Sequence, residues 1–253
     1  MADWDPAQYA KFAEERRRPF VALLSLLQPV PGGRVVDLGC GPGTLTVELH
    51  RALGASETVG VDNSPAMLDE AAIQAGGGVR FEPGDLGAWN GGGEQWDVIV
   101  ASASLHWVPD HERVLAQWSD ALGEHGQLAV QVPSNPDHPS HLLIGDVAHD
   151  LGLDIPPDPL HNVLPVQRYA EILDALGFPQ QHARLEVFGH RLPHAADVVE
   201  WTKGTALLRV RTSVTAEEYD AFLDEYRRRL VDALGNRAPY FYAFKRILVW
   251  GQR

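Results

Sequence analysis

The chain has 253 residues, 45% of them hydrophobic and 22% charged, which suits one large domain or one domain carrying an insertion and excludes intrinsic disorder. A formal net charge of -13 argues against a nucleic-acid partner, whose binding rests on Lys and Arg neutralising phosphates, and so favours a small-molecule substrate. The single cysteine, Cys40, excludes an intrachain disulfide, and the absence of a long apolar run or a signal-peptide pattern makes a cytoplasmic protein without a membrane partner the expectation.

Residues 6–27 carry two helical patterns, opened by Pro6 and Pro19, with Tyr9 and Phe12 on one face of the first. A Pro- and Gly-rich break over 28–33 leads into a buried strand at 35–38. Gly39, Gly41 and Gly43 then form a strand-to-helix turn, and a helix begins at Thr44. Strands follow at 58–62, 79–82, 96–101 and 127–132, interleaved with helices at 65–75 and 111–122. Beyond Val132 a proline-rich passage opens a region of helices and loops. Strands at 184–189 and 246–250 complete the pattern, and helical periodicity covers 197–208 and 215–234, the latter opening on Thr215-Ala216-Glu217-Glu218, a capping box. Repeated β-α units predict a Rossmann-like α/β fold, a seven-stranded, mostly parallel sheet with helices on both faces and a helical lid or insertion. The expected division is 1–133 for the N-terminal helices and ligand-binding core, 134–183 for the insertion, and 184–253 for completion of the sheet, with further helices over about 195–235.

Chemistry-bearing residues gather at predicted strand ends, where open α/β sheets bind ligands. The glycines fall as G-x-G-x-G rather than the dinucleotide G-x-G-x-x-G, and Asp37 precedes them. That acid suits a cationic group, such as an amino-acid ammonium, better than a pyrophosphate. Asp62 ends the second strand about 20 residues beyond the glycines, where a carboxylate accepts ribose hydroxyls. Asn63 follows it, and Met67, one turn into the next helix, offers a thioether to an adenine face or to the core. Asp85 and the Leu86 N–H are placed for an adenine edge, with a turn aspartate as the plainer reading. Ala101, at the end of the fourth strand, offers a carbonyl to the ammonium. His106 and Trp107 follow it. The remaining histidines lack ligand spacing, so no metal is expected.

The motifs Asp37-Leu38-Gly39-Cys40-Gly41-Pro42-Gly43, Val61-Asp62-Asn63-Ser64-Pro65-Ala66-Met67 and Ala103-Ser104-Leu105-His106-Trp107-Val108-Pro109-Asp110-His111 resemble those of class I S-adenosylmethionine-dependent methyltransferases. More narrowly, Asp3-Trp4-Asp5-Pro6 with Tyr9, Phe12, Glu15-Arg16 and Arg18-Pro19, and Val130-Gln131-Val132-Pro133 with Asn135, are similar to the trans-aconitate 2-methyltransferase family. The resemblance implies S-adenosyl-L-methionine as cofactor and carboxyl O-methylation of trans-aconitate or a related polycarboxylate. It implies cofactor contacts at Asp37, Gly39, Gly41, Asp62, Asn63, Met67, Asp85, Leu86 and Ala101. Substrate contacts are expected from Tyr9, Arg18, His106, Trp107, Arg168 and Arg209. Two departures stand out: His106 replaces the family's Gln before Trp107, and Leu208 replaces a family arginine, which Arg209 or Arg211 can replace from a neighbouring position. With a histidine at that position, a hydroxyl or amine acceptor with His106 as base is a second possibility. A non-catalytic S-adenosylmethionine-binding protein and a dehydrogenase are also compatible with the glycine turn and its acids, and a monomer is expected.

Overall fold

A computed structural model describes residues 13–253. Its sheet has seven strands in the order β3-β2-β1-β4-β5-β7-β6, with β1 Arg34–Leu38, β2 Glu57–Asp62, β3 Val79–Pro83, β4 Trp96–Ser102, β5 Leu122–Pro133, β6 Gln180–Leu192 and β7 Tyr240–Gln252. The first five run parallel, and β7 joins β5 antiparallel, Val130 opposite Val249. The mostly parallel Rossmann-like sheet expected from the β-α repetition is therefore present. Val35, Val36, Ile99 and Val100 are fully buried, as continuous apolar strands covered on both faces must be.

The helices among the described residues are α1 Ala13–Leu24, α2 Thr44–Leu53, α3 Pro65–Ala72, α4 His111–Asp120, α5 Pro139–Asp150, α6 Val166–Ala175, α7 Asp197–Lys203, α8 Leu208–Arg211 and α9 Ala216–Leu234. Local chemistry fixes their ends. Gly54 stops α2 in the left-handed region, Ser64 caps α3 ahead of Pro65, and both hydrogen bonds of the Thr215–Glu218 capping box are made at α9.

The chain divides into two compact units. One holds residues 16–134, 162–186 and 245–253, and its core joins Val36, Ile99 and Val130 of the sheet to Val114, Leu115 and Trp118 of α4. Buried positions 111, 114, 115 and 118 follow the helical period. The other unit includes residues 135–161 and 187–244, and its core gathers Ile144, Val147, Val198, Phe222, Tyr226 and Leu230.

Several boundaries depart from the sequence reading. Pro19 does not open a helix but lies inside α1. An interior proline costs about 3 kcal/mol, and full burial of Phe20 and Leu23, at roughly 1.5–3 kcal/mol each, offsets it. Strand β5 starts at Leu122 because Leu122 pairs with Trp96 across a register irregularity. β7 starts at Tyr240, since Tyr240, Tyr242 and Phe244 are buried in alternation with exposed Phe241 and Ala243. The helical stretch over 197–208 breaks at Gly204, and α6, placed by its sequence position in the insertion, packs Tyr169, Ile172 and Leu173 into the sheet-bearing core.

Candidate functional site

The turn after β1 is shaped by contacts that leave one glycine open. Gly39 has φ +80°, and a Cβ there would overlap Ser104, whose hydroxyl donates to the Leu38 carbonyl. The β4 exit is thus bolted to the β1 exit. Gly43 is closed by Phe81, whose ring Cζ lies 2.5 Å from a Cβ position. Gly41, at φ +55°, has nothing within 4 Å of that position, so its backbone faces space in which a ligand can lie against the main chain.

Two carboxylates flank this turn. Asp37 is buried, and its Oδ2 accepts the Thr46 hydroxyl at 2.7 Å. No donor among the described residues reaches Oδ1, which leaves it for a ligand cation. Burial pushes the Asp37 carboxyl up to about 6, opposed by the Thr46 hydrogen bond and reinforced by the nearby charge of Asp62. Asp62 accepts the Gly41 N–H through Oδ2 and the Ser64 N–H through Oδ1, both at 2.9 Å. Each oxygen keeps a lone pair for an incoming hydroxyl. Cys40 is buried between the acids, and burial pushes its thiol up, so it is a packed side chain rather than a nucleophile.

Further along the same sheet end, Asn63 is exposed, while Met67 is only 5% exposed and belongs to the buried face of α3. Asp85 is exposed and accepts the Gly87 N–H at 2.7 Å through Oδ1; this is an Asx turn that leaves Oδ2 unused. The Leu86 carbonyl takes Trp118 Nε1–H at 3.1 Å, and its N–H has no acceptor among the described residues. Ala101 is fully buried opposite Val130. It precedes Ala103, which holds φ +58°, a region costly for a residue with a Cβ.

His106 and Trp107 lie on a short 3-10 turn, Leu105–Trp107, their rings 5.0 Å apart. His106 is buried and Trp107 is 39% exposed. The turn is fixed by groups that sequence reasoning did not single out. Asn162 Nδ2–H donates to the His106 carbonyl at 3.0 Å, and buried His111 joins the Leu105 carbonyl at 3.0 Å to the Tyr169 hydroxyl at 2.7 Å. Burial lowers the His111 imidazole, so its Nε2–H donates to Leu105 while Nδ1 accepts from Tyr169. Thr46, Ser104 and Phe81 were missed in the same way, because each acts on a residue remote in sequence.

The arginines are dispersed. Arg168 is exposed on α6 and paired with Glu112 and Glu171. Arg18 is exposed on α1, and Tyr9 lies outside the described residues. Arg209 belongs to the other unit, on α8. Among the described residues no cluster of His, Cys, Asp and Glu is arranged to hold a metal, and no helix is long and apolar enough to cross a membrane.

The methyltransferase domain family matches over residues 35–126, the stretch that carries Asp37, the glycine turn, Asp62, Asp85 and His106. The trans-aconitate 2-methyltransferase of Deinococcus radiodurans is 38% identical, covering 97% of this chain and 96% of that protein. The protein of the same name from Streptomyces avermitilis is 39% identical over 92% of this chain and 90% of its own length. Among solved structures, the YcgJ protein of Bacillus subtilis superposes with a TM-score of 0.63 at 16% identity, covering 94% of this chain and 98% of that one, which shows a shared fold. The open backbone at Gly41, the free Oδ1 of Asp37, the spare lone pairs of Asp62 and the free Leu86 N–H fit an adenosyl amino acid. The chain belongs to the trans-aconitate 2-methyltransferase family, and it is an S-adenosylmethionine-dependent methyltransferase.

Proposed function

We propose that this enzyme transfers a methyl group to one carboxylate of a small polycarboxylic acid of the trans-aconitate type. The observation that carries the reading is the similarity to relatives of that name along nearly the whole chain. The bound cofactor supplies a methyl group on a sulfonium. Asp37 Oδ1 would hold its ammonium, Asp62 its ribose hydroxyls, and the Leu86 N–H, Asp85 Oδ2 and Met67 its adenine. Gly39, Gly41, Asn63 and the Ala101 carbonyl complete the cradle.

A carboxylate acceptor is already ionised at neutral pH, so the residues around it have no proton to remove. Their work is alignment of the acceptor oxygen with the methyl-sulfur axis and exclusion of water, effects that supply large rate factors without a reactive side chain. Trp107 offers an apolar wall for this purpose. The enzyme acts in the cytoplasm on a free small molecule, in keeping with one buried cysteine and a net charge of -13. Incubation with isotopically labelled S-adenosylmethionine and a panel of di- and tricarboxylic acids, read by mass spectrometry, should give a monomethyl ester. A panel that yields no ester while an alcohol or amine is methylated would transfer the assignment to a second reading, in which His106 is the base. That reading draws its support from the position of His106 just beyond the end of β4.

A further inference from the structure

Helix α4 does more than cover the sheet, because three of its side chains reach main-chain carbonyls of the turn that follows β3. Trp118 Nε1–H donates to the Leu86 carbonyl at 3.1 Å, Arg113 Nη2–H to that of Gly87 at 3.3 Å and Gln117 Nε2–H to that of Trp89 at 2.7 Å. Trp118 is fully buried and Gln117 half-buried. Arg113 and Gln117 lie one helical turn apart on a shared face, and Arg113 Nη1–H donates to Gln117 Oε1 at 3.1 Å. That bond orients the amide, with its NH2 group toward Trp89. Water satisfies the carbonyls of an ordinary surface turn. Donors from one rigid helix also fix the planes of its peptides.

The bonds inside the turn show which groups are being aimed. The Asp85 carbonyl accepts the N–H groups of Ala88 and Trp89, at 3.1 and 2.9 Å, and so faces the inside of the turn. The peptide between Asp85 and Leu86 is planar and trans, so the Leu86 N–H points the opposite way, out of the turn. Asp85 Oδ1 is held by the Gly87 N–H at 2.7 Å, which leaves Oδ2 as the outward acceptor. A donor and an acceptor on adjacent residues complement a 6-aminopurine edge, which offers N1 as acceptor and N6–H as donor.

We propose that Gln117, together with Arg113 and Trp118, is a positioning residue for the cofactor's adenine, and that its hold on the 85–89 turn sets the selection of a 6-aminopurine over a 6-oxopurine. None of the three touches the base; they act through Asp85 and Leu86. A 6-oxopurine presents an acceptor at position 6 and a donor at N1, so both contacts set like against like. A turn held in place cannot adapt to that mismatch, whereas a loosened one turns aside. The inference rests on the adenine placement above.

The test is calorimetric titration of the intact protein with S-adenosylhomocysteine and with S-inosylhomocysteine, read as the ratio of the two affinities. Wild type should favour the adenosyl compound by about tenfold or more, the scale of one two-point base-edge contact. Gln117→Met, which keeps the side-chain volume and loses the amide, should lower that ratio by about threefold or more, the worth of one hydrogen bond. Arg113→Met, at an exposed position, should lower it in the same direction. A role in folding alone would weaken both ligands alike and leave the ratio unmoved. Unchanged ratios in both variants therefore overturn the proposal. If Asp85→Ala then removes the discrimination, the adenine placement stands and only the positioning role falls. Discrimination that survives Asp85→Ala, or is absent from wild type, removes the adenine placement itself and the inference with it.

Discussion

The ring of Phe81 on β3 occupies the space that a methyl group on Gly60 of β2 would need, and the same ring closes Gly43. Gly60 has an ordinary backbone, so the restriction is one of volume alone, with Cys40 Sγ a further 2.9 Å neighbour. Gly60→Ala should destabilise the protein by about 1–3 kcal/mol and weaken S-adenosylhomocysteine binding as the glycine turn shifts. Phe81→Leu in the same chain should restore both. Thermal melts and calorimetry of the two variants decide the matter: a double variant no better than Gly60→Ala removes Phe81 as the wedge.

Asp37 links stability to pH in an unusual direction. Its folded carboxyl lies at about 6 against an ordinary 3.8, so the folded protein holds the proton more tightly than the unfolded chain. The stability this gives is complete below about pH 3.8 and is lost as pH rises through about 6, a swing of roughly 3 kcal/mol. Asp37→Asn should therefore raise the melting temperature of the ligand-free protein at pH 8 by several degrees. Cofactor binding should respond oppositely, weakening in the variant and, in wild type, falling as pH drops below about 6. An unchanged melting temperature together with pH-independent cofactor affinity would refute the assignment.

Asp62 supports the turn through the Gly41 and Ser64 amides, and the proposed ribose contact would add a second role. Asp62→Ala should cost at least tenfold in S-adenosylhomocysteine affinity. Asp62→Asn, which keeps one acceptor oxygen, should fall between it and wild type. Equal affinities across the three proteins would leave Asp62 a structural acid only.

His106→Gln should retain most activity on a carboxylate acceptor, since the Asn162 bond that fixes the turn runs to the backbone carbonyl and survives the change. A loss of several orders of magnitude in kcat would reverse the base-free mechanism.

Arg168→Ala should leave kcat and both KM values within twofold, because Glu112 and Glu171 already take up its guanidinium on the surface. A large rise in the acceptor KM alone would bring Arg168 back as a clamp.

The strands and the acids at their ends were legible because they are local. Val35-Val36-Asp37-Leu38 states its burial by composition, and G-x-G-x-G states the need for close backbone. What could not be read is what one strand end does to another. Nothing near Gly39 announces Ser104, nothing near Gly60 announces Phe81, and the Tyr169–His111–Leu105 link joins residues up to 64 positions apart. Arg168 and Arg209 looked equivalent as isolated cations. Exposure and two carboxylates separate the first from the second, whose partners Pro156 and Asp158 lie in a loop with no periodicity to read.

The antiparallel pairing of β5 with β7 has a consequence for synthesis on the ribosome. Leu128 meets Gly251, 123 positions later. The parallel strands that carry Asp37, Asp62 and Ala101 can therefore assemble while the β5 edge still lacks its neighbour. Until residues 246–252 emerge, the apolar stretch Leu128–Val132 is an open strand edge, the kind of surface that recruits other nascent chains. Translation stalled before that point leaves the β5 edge without the partner that β7 supplies, the kind of margin that chaperones cover.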